Sequence, residues 1–171
     1  MIKKILIAFL LLFLALTVIG FFLPKDYRVE RNRNMAFTPA QIPALTADLP
    51  TWEEWTGWNK SVDSDCVWTF VDATTFTFDG PINGQGKIMV TSASEKGMTW
   101  DLAFEHGKYL AKGGLDFHPS SDGTEVVWYT EGVIEGIGPL GGWVGLMMDG
   151  QIGPYFATNL EGIESALKKE G

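Results

Sequence analysis

The sequence predicts an α+β domain, a curved antiparallel sheet wrapped around one long C-terminal helix, behind a single apolar helix at the N-terminus. Three observations lead there. From Ile5 to Leu23 no residue is charged and only Thr17 is polar. Runs of apolar and polar residues in strict alternation then recur between turn signals over most of the middle of the chain, as a sheet with one dry and one wet face requires. Finally, Trp143, Met147, Phe156, Leu160, Ile163 and Leu167 recur at helical spacing between Leu140 and Lys169.

The apolar run comes first in the chain. Its nineteen residues at about 1.5 Å each give roughly 28 Å of helix, close to the hydrocarbon thickness of a bilayer. Pro24 ends it, and Lys3 and Lys4 precede it. A cleaved signal peptide has a shorter apolar stretch and a small-residue cleavage site, and Val18-Ile19-Gly20 followed by two phenylalanines is a poor one. The expectation is an uncleaved signal-anchor over residues 1–24 and one domain over residues 25–171. Lys3 and Lys4 favour a cytoplasmic N-terminus, whereas Lys25, Arg28, Arg31 and Arg33 beyond the span weigh the other way. The reading adopted is a single-pass membrane protein with its C-terminal domain on the outer side.

Beyond the span the chain is acidic. Two of its 13 lysines and arginines are Lys3 and Lys4, so 11 basic side chains face 21 acidic ones. Such a surface repels phosphate backbones, and nucleic acid is not expected as a partner. A single cysteine, Cys66, excludes an internal disulfide and any cysteine-rich metal site.

After Pro24, Tyr27, Val29, Arg31, Arg33 and Met35 share one face of a first strand. Pro39 to Ala47 reads as a turn or two of helix, with Thr38 at the N-cap and Pro39 at the first helical position. Trp52, Trp55 and Trp58 follow, a cluster suited to packing over one end of the sheet. Five or six further strands come next. Cys66, Trp68 and Phe70 lie on one face of the second strand, Phe76 and Phe78 on the third, and Ile88 and Val90 on the fourth. Met98, Trp100, Leu102 and Phe104 then alternate with Thr99, Asp101, Ala103 and Glu105. Leu115 and Phe117 alternate with Asp116 and His118, and Val126 and Trp128 oppose Glu125 and Glu131. In the closing helix Gly150, Gly153 and Pro154 are expected to bend or loosen the first half.

The segments "YRVERNRNM…TPAQI", "W-EEW-GW", "TEVVWYTEG" and "GLMMDGQIGPYFATNLEGIESALKK" resemble the START/birch-pollen-allergen superfamily, SRPBCC. They are most similar to its polyketide cyclase/dehydrase and lipid transport branch, in particular to single-span, membrane-anchored bacterial members. The resemblance implies a helix-grip fold, in which sheet and C-terminal helix enclose an apolar cavity, and ligands that are lipids, sterols, polyketides or other hydrophobic small molecules. Two departures stand out. The segment from Cys66 to Gly86 is compressed, and Arg33 stands where relatives tend to carry an aliphatic residue.

Catalytic signatures are scarce. There is no G-x-S-x-G, Cys66 sits in an apolar strand with no nearby histidine, and "GPINGQGK" lacks the spacing of a phosphate loop. Asp116, His118 and His106 make a poor metal set, and "DSD" at Asp63 to Asp65 lacks the rest of a calcium loop. No cofactor is expected. Parity sends Asp101, Glu105, Asp116, Glu125 and Glu131 to the wet face. It leaves Trp68, Phe70, Phe76, Phe78, Trp100, Phe104, Phe117 and Trp128 facing inward, with Met147 on the helix, as the candidate ligand-binding set. Arg33 shares that inward face and is the one charged candidate, for a lipid phosphate or a carboxylate. The alternative places it at a strand end beside the membrane, against headgroups or water, because arginine is rarely buried unpaired.

Two functions are therefore expected to compete. One is membrane-tethered binding of a lipid or other hydrophobic small molecule in an apolar cavity. The other is a polyketide cyclase or dehydratase, which needs inward acid–base groups, for which Arg33, Tyr129 and Asp149 are the candidates.

Overall fold

A computed structural model describes residues 1–58 and 62–170. Helix α1 (Ile2–Phe22) is long and apolar enough to cross a membrane, and nearly all of its surface is exposed. It stops at Leu23, which is extended (φ −70°, ψ 143°), as the ring of the following proline demands. Strand β1 (Asp26–Met35) leads to two short helices, α2 (Gln41–Thr46) and α3 (Trp52–Trp55), joined by a turn of 3₁₀ helix. Six strands follow: β2 (Val67–Asp72), β3 (Thr75–Gly80), β4 (Gly84–Ser94), β5 (Gly97–Phe104), β6 (Tyr109–Ser120) and β7 (Gly123–Val133). Helix α4 (Leu140–Glu170) closes the chain.

The seven strands form one antiparallel sheet in the order β1-β7-β6-β5-β4-β3-β2. First and last strands of the chain's sheet thus pair, β1 with β7, and Arg31 lies opposite Trp128. This is the antiparallel sheet around a C-terminal helix that the alternation predicts, and the helix-grip fold that the resemblance implies. Paired residues share a face, so register sorts every strand. Phe70, Phe76, Ile88, Leu102 and Ala111 form one inward row, and Val90, Trp100, Gly113, Thr130 and Val29 the next. Asp101, Lys112, Glu131 and Arg28 form a row on the opposite face. β2 and β3 are short, in keeping with the compressed segment seen in the sequence.

Helix α2 starts two residues later than its capping residues suggest. Gln41 N–H donates to the Thr38 carbonyl, while Gln41 Oε1 accepts from both the Thr38 N–H and its hydroxyl, each at 3.0 Å. Thr38 and Gln41 tie the approach to the helix instead of starting it. Helix α4 runs as one element through Gly150, Gly153 and Pro154. Lys168 and Lys169 in its last turn oppose the negative end of the helix dipole.

The three tryptophans after α2 occupy the middle of the fold. Trp52 is wholly buried, with ring centroids 5.4 Å from Trp55 and Trp100, 5.8 Å from Trp128 and 6.1 Å from Phe76. Its indole N–H donates to the Thr46 carbonyl at 2.8 Å, so no polar atom is stranded. Trp58 is only partly buried and meets Trp128 edge-on. Trp100 has room because position 113 is glycine: a Cβ there would stand 2.3 Å from its Nε1. Phe156, Leu160, Ile163 and Leu167 of α4 close over this cluster.

Replacing Trp52 by alanine removes an indole that touches four other rings, and such core truncations cost about 3–5 kcal/mol. Thermal unfolding of the full chain in detergent should show a midpoint lowered by roughly 10 °C for Trp52→Ala and a much smaller shift for Trp58→Ala. Equal shifts would contradict the central placement of Trp52.

Candidate functional site

All eight inward aromatic candidates fall on the face that parity assigns them, but not at equal depth. Phe76, Phe78, Trp100, Phe117 and Trp128 are buried, Trp68 and Phe104 are half-buried, and Phe70 is 38% exposed near the β2 edge. β2 is the outermost strand, so no neighbour shields its far side. The buried rings pack chiefly on one another: Trp68 stacks on Phe76 at 4.5 Å, and Trp128 on Phe156 at 5.8 Å. With Trp52 between them, the middle of the inner face is filled by protein.

Inner-face groups that keep some exposure lie toward the β1 start and the β5–β6 turn. They are Tyr27, Phe104, Tyr109 and Ala111, beside the buried Leu102 and next to Gly132. From α4, Met148 and Ile152 pack against the core while remaining partly exposed. This is where the inner face is open, and parity alone does not find it, because it depends on how far the tryptophans reach. Tyr27 carries the polar group of this region. Burial raises its phenol above the usual tyrosine range, so it stays protonated and able to donate at neutral pH. At the opposite edge of the sheet, on β2, Trp68 Nε1 is buried with no hydrogen-bond partner among the described residues.

Two candidates are placed differently from expectation. Met147 is 56% exposed and points away from the sheet. Gly141, Gly142 and Gly145 turn toward the strand β1 entry, and at about 100° per residue that phase carries Met148, not Met147, to the core. Arg33 lies neither in the opening nor at the membrane end. It stands seven residues beyond Asp26, about 23 Å along the strand. There Nε donates to Glu164 at 2.5 Å and Nη1 to Glu161 at 3.4 Å, both on α4. Arg31 does the same more than three turns earlier on α4, gripping the Asp149 carboxylate at 2.7 and 3.1 Å. The two arginines fasten α4 along β1.

Of the remaining acid–base candidates, Tyr129 lies on the outer face with the Arg28 guanidinium 4.2 Å from its ring centroid. Asp149 is exposed and engaged by Arg31. Asp63, buried near the β3–β4 turn, accepts the N–H groups of Ile82 and Asn83 at 2.9 and 2.8 Å, which is a turn-capping role. Among the described residues no group of three His, Cys, Asp or Glu side chains is placed to hold a metal ion.

The outer face has concavities of its own. One of about 1290 Å³ runs over Met89, Ala103, Leu110 and Val133, rimmed by Lys87, Asp101, Lys112, Glu131 and Arg28, and extends to Tyr27, Leu102, Tyr109, Ala111 and Gly132. Another, of about 910 Å³, lies over β2 to β4. Across the first, opposite charges alternate strand by strand, and Arg28 Nη1 meets Glu131 at 2.8 Å. This is a solvated surface of mixed charge.

With this geometry in view, the comparisons with other proteins are informative. Residues 26–168 match the family model described as polyketide cyclase/dehydrase and lipid transport, and the chain belongs to that family, within the SRPBCC superfamily. No protein in the curated set matches it. Among solved structures, a START superfamily protein from Mycobacterium smegmatis is similar at 14% identity and a TM-score of 0.60, covering 85% of this chain and 99% of its own. Protein SA2116 from Staphylococcus aureus, of unknown function, aligns at 11% identity and 0.61 over 84% of this chain and 96% of its own. The di-domain aromatase/cyclase StfQ of the steffimycin biosynthetic pathway aligns at 11% and 0.66, over 85% of this chain and 51% of that one. At such identities the likeness is one of fold.

The ion pairs that hold α4 carry a pH signature. The hydrogen bond from Arg31 keeps the Asp149 carboxyl below its usual range. Those from Lys168 and Arg33 do the same for Glu164. A carboxyl depressed in the folded state contributes stability above its unfolded value of about 4, and that contribution is lost as pH falls through the folded value. Acid titration of the full chain should therefore show stability falling below about pH 4, with a shallower fall in the Arg31→Met/Arg33→Met double variant. Identical acid limbs would show that these pairs do not hold the helix.

Proposed function

We propose that this chain is a membrane-tethered module that takes up a lipid or other hydrophobic small molecule between the inner face of its sheet and helix α4. The observation that carries this is the pairing of an apolar inner face, still open at Tyr27, Ala111, Met148 and Ile152, with an apolar helix joined directly to that end of β1. Residues 1–24 then serve as the anchor and residues 25–171 as the binding domain. α1 crosses a bacterial inner membrane once and the domain stands on its outer side. A tether of this kind holds the opening beside the ligand's source at high effective concentration.

In this reading the occupant's apolar body lies against Leu102, Phe104 and Ala111, reaching toward Trp68 and Phe70, while the larger buried rings form the wall behind it. Tyr27 and the indole N–H of Trp68 offer donors to a hydroxyl, carbonyl or ester oxygen. Family membership makes a cyclase or dehydratase the competing reading. It draws no support from the placement of Tyr129, on the outer face, or of Asp149 and Arg33, which are spent on ion pairs. Hydrophobic binding uses what the inner face does offer.

Native mass spectrometry of the full chain, released gently from its own membranes, should show a retained species with the mass of a lipid or similar apolar molecule. Ala111→Trp, which fills the opening, should abolish the retained mass without unfolding the domain. A chain that is empty, and stays empty when offered phospholipids, fatty acids and sterols, would overturn the binding reading.

A further inference from the structure

Helix α1 does not stand free of the domain. Gly20 is its one buried residue, and a Cβ there would stand 2.3 Å from the Pro139 carbonyl oxygen and 2.8 Å from Trp143 Nε1. A Cβ at Gly142 would likewise stand 2.4 Å from that of Leu23. Trp143 reaches further back, its indole N–H donating to the Leu16 carbonyl at 3.1 Å. Leu16 precedes Leu23 by seven residues, so the indole lies about 10 Å down α1 from its end. Only glycine at positions 20 and 142 allows helices to approach so closely.

From Ile137 to Met148 the chain carries no ionisable residue. Gly141, Gly142 and Gly145 face the domain and α1. On the opposite side stand Leu140, Leu146 and Met147, which are 61%, 57% and 56% exposed, with the half-buried Val144; the half-buried Trp143 reaches round to α1. An uninterrupted apolar face of this kind is rarely left to water. Charge returns only at Asp149, which Arg31 holds.

We propose that the first turns of α4, from Leu140 to Met147, lie in the interfacial layer of the same bilayer that α1 crosses, with the Trp143 indole reaching down beside α1 into the upper hydrocarbon and Leu140, Leu146 and Met147 among the upper acyl chains. The proposal rests on α1 as a membrane span. If α1 is immersed as far as Phe22, a side chain bonded to Leu16 is drawn below the surface with it, and the helix that carries it follows. The depth agrees with the roughly 5–10 Å at which amphipathic helices settle. Among the described residues a single cation, Lys25, packs beside Gly141 at the edge of this face. Docking also sets the orientation of the domain: the start of β1 and the opening beside Tyr27 face the lipid.

The test uses the full chain in phosphatidylcholine vesicles, with an environment-sensitive fluorophore on Leu146→Cys or Met147→Cys and nitroxides placed high or deep on the lipid chains. Both positions should lose most of their fluorescence to the shallow nitroxide, while Ser121→Cys in the β6–β7 turn, at the far end of the sheet, keeps its own. Leu12→Cys, quenched by the deep nitroxide, reports independently that α1 spans. If Leu146 and Met147 stay bright while Leu12 is quenched, docking is refuted and the span stands. If Leu12 also stays bright, the span fails and docking with it. Labels shielded from both water and lipid, in chains that cross-link to one another, would assign the face to a second copy and likewise overturn the proposal. Ligand retention by mass is a separate readout, so failure here is distinguishable from failure of the binding reading.

Discussion

The packing of Trp52 governs how much of this fold is protein and how much is site. Its indole fills the space between the sheet and α4, where four other aromatic rings surround it and the Thr46 carbonyl takes up its N–H. A helix-grip sheet wrapped around an empty centre would offer a long cavity. Here the short helices α2 and α3 push a tryptophan into that centre, with Gly113 yielding room for Trp100 beside it. The inner face is then packed through its middle rows, with partly exposed side chains toward Tyr27 and Ala111 and at the β2 edge. An apolar ligand would meet half a cavity, next to the end of the domain from which α1 emerges.

Position along β1 divides the labour of its inward side chains. Tyr27 borders the opening, Val29 is core, and Arg31 and Arg33 reach across to the carboxylates of α4. Because these ion pairs are largely solvated, each contributes little to stability by itself. Their use is geometric. They fix the angle and register of a 31-residue helix against an edge strand, and through it the separation of Met148 and Ile152 from the sheet.

Much of this was legible in the residues. Strict alternation in segments such as Met98 to Phe104 and Val126 to Trp128 assigns inner and outer faces correctly, because a one-residue slip would expose every ring at once. The spacing of Phe156, Leu160, Ile163 and Leu167 likewise marks the buried stripe of α4. Depth was not legible. Alternation distinguishes faces, but whether Trp128 lines a void or packs against Trp52 depends on the path of a segment some 70 positions earlier in the chain. Met147 and Met148 show a related limit: both are apolar neighbours on one helix, and only the glycines that contact β1 set which of them turns inward. Arg33 found partners more than 100 positions away, which local sequence does not reveal.

The central claim is that an apolar molecule occupies the inner face beside Tyr27, and not the wider outer depression floored by Leu110 and Val133. Photo-crosslinking of the full chain, in membranes, with a diazirine-bearing fatty acid locates the occupant directly. The account predicts adducts on peptides carrying Tyr27, Ala111 and Met148 to Ile152, competed away by unlabelled lipid. Adducts confined to Met89, Leu110 and Val133 on the outer face would contradict it.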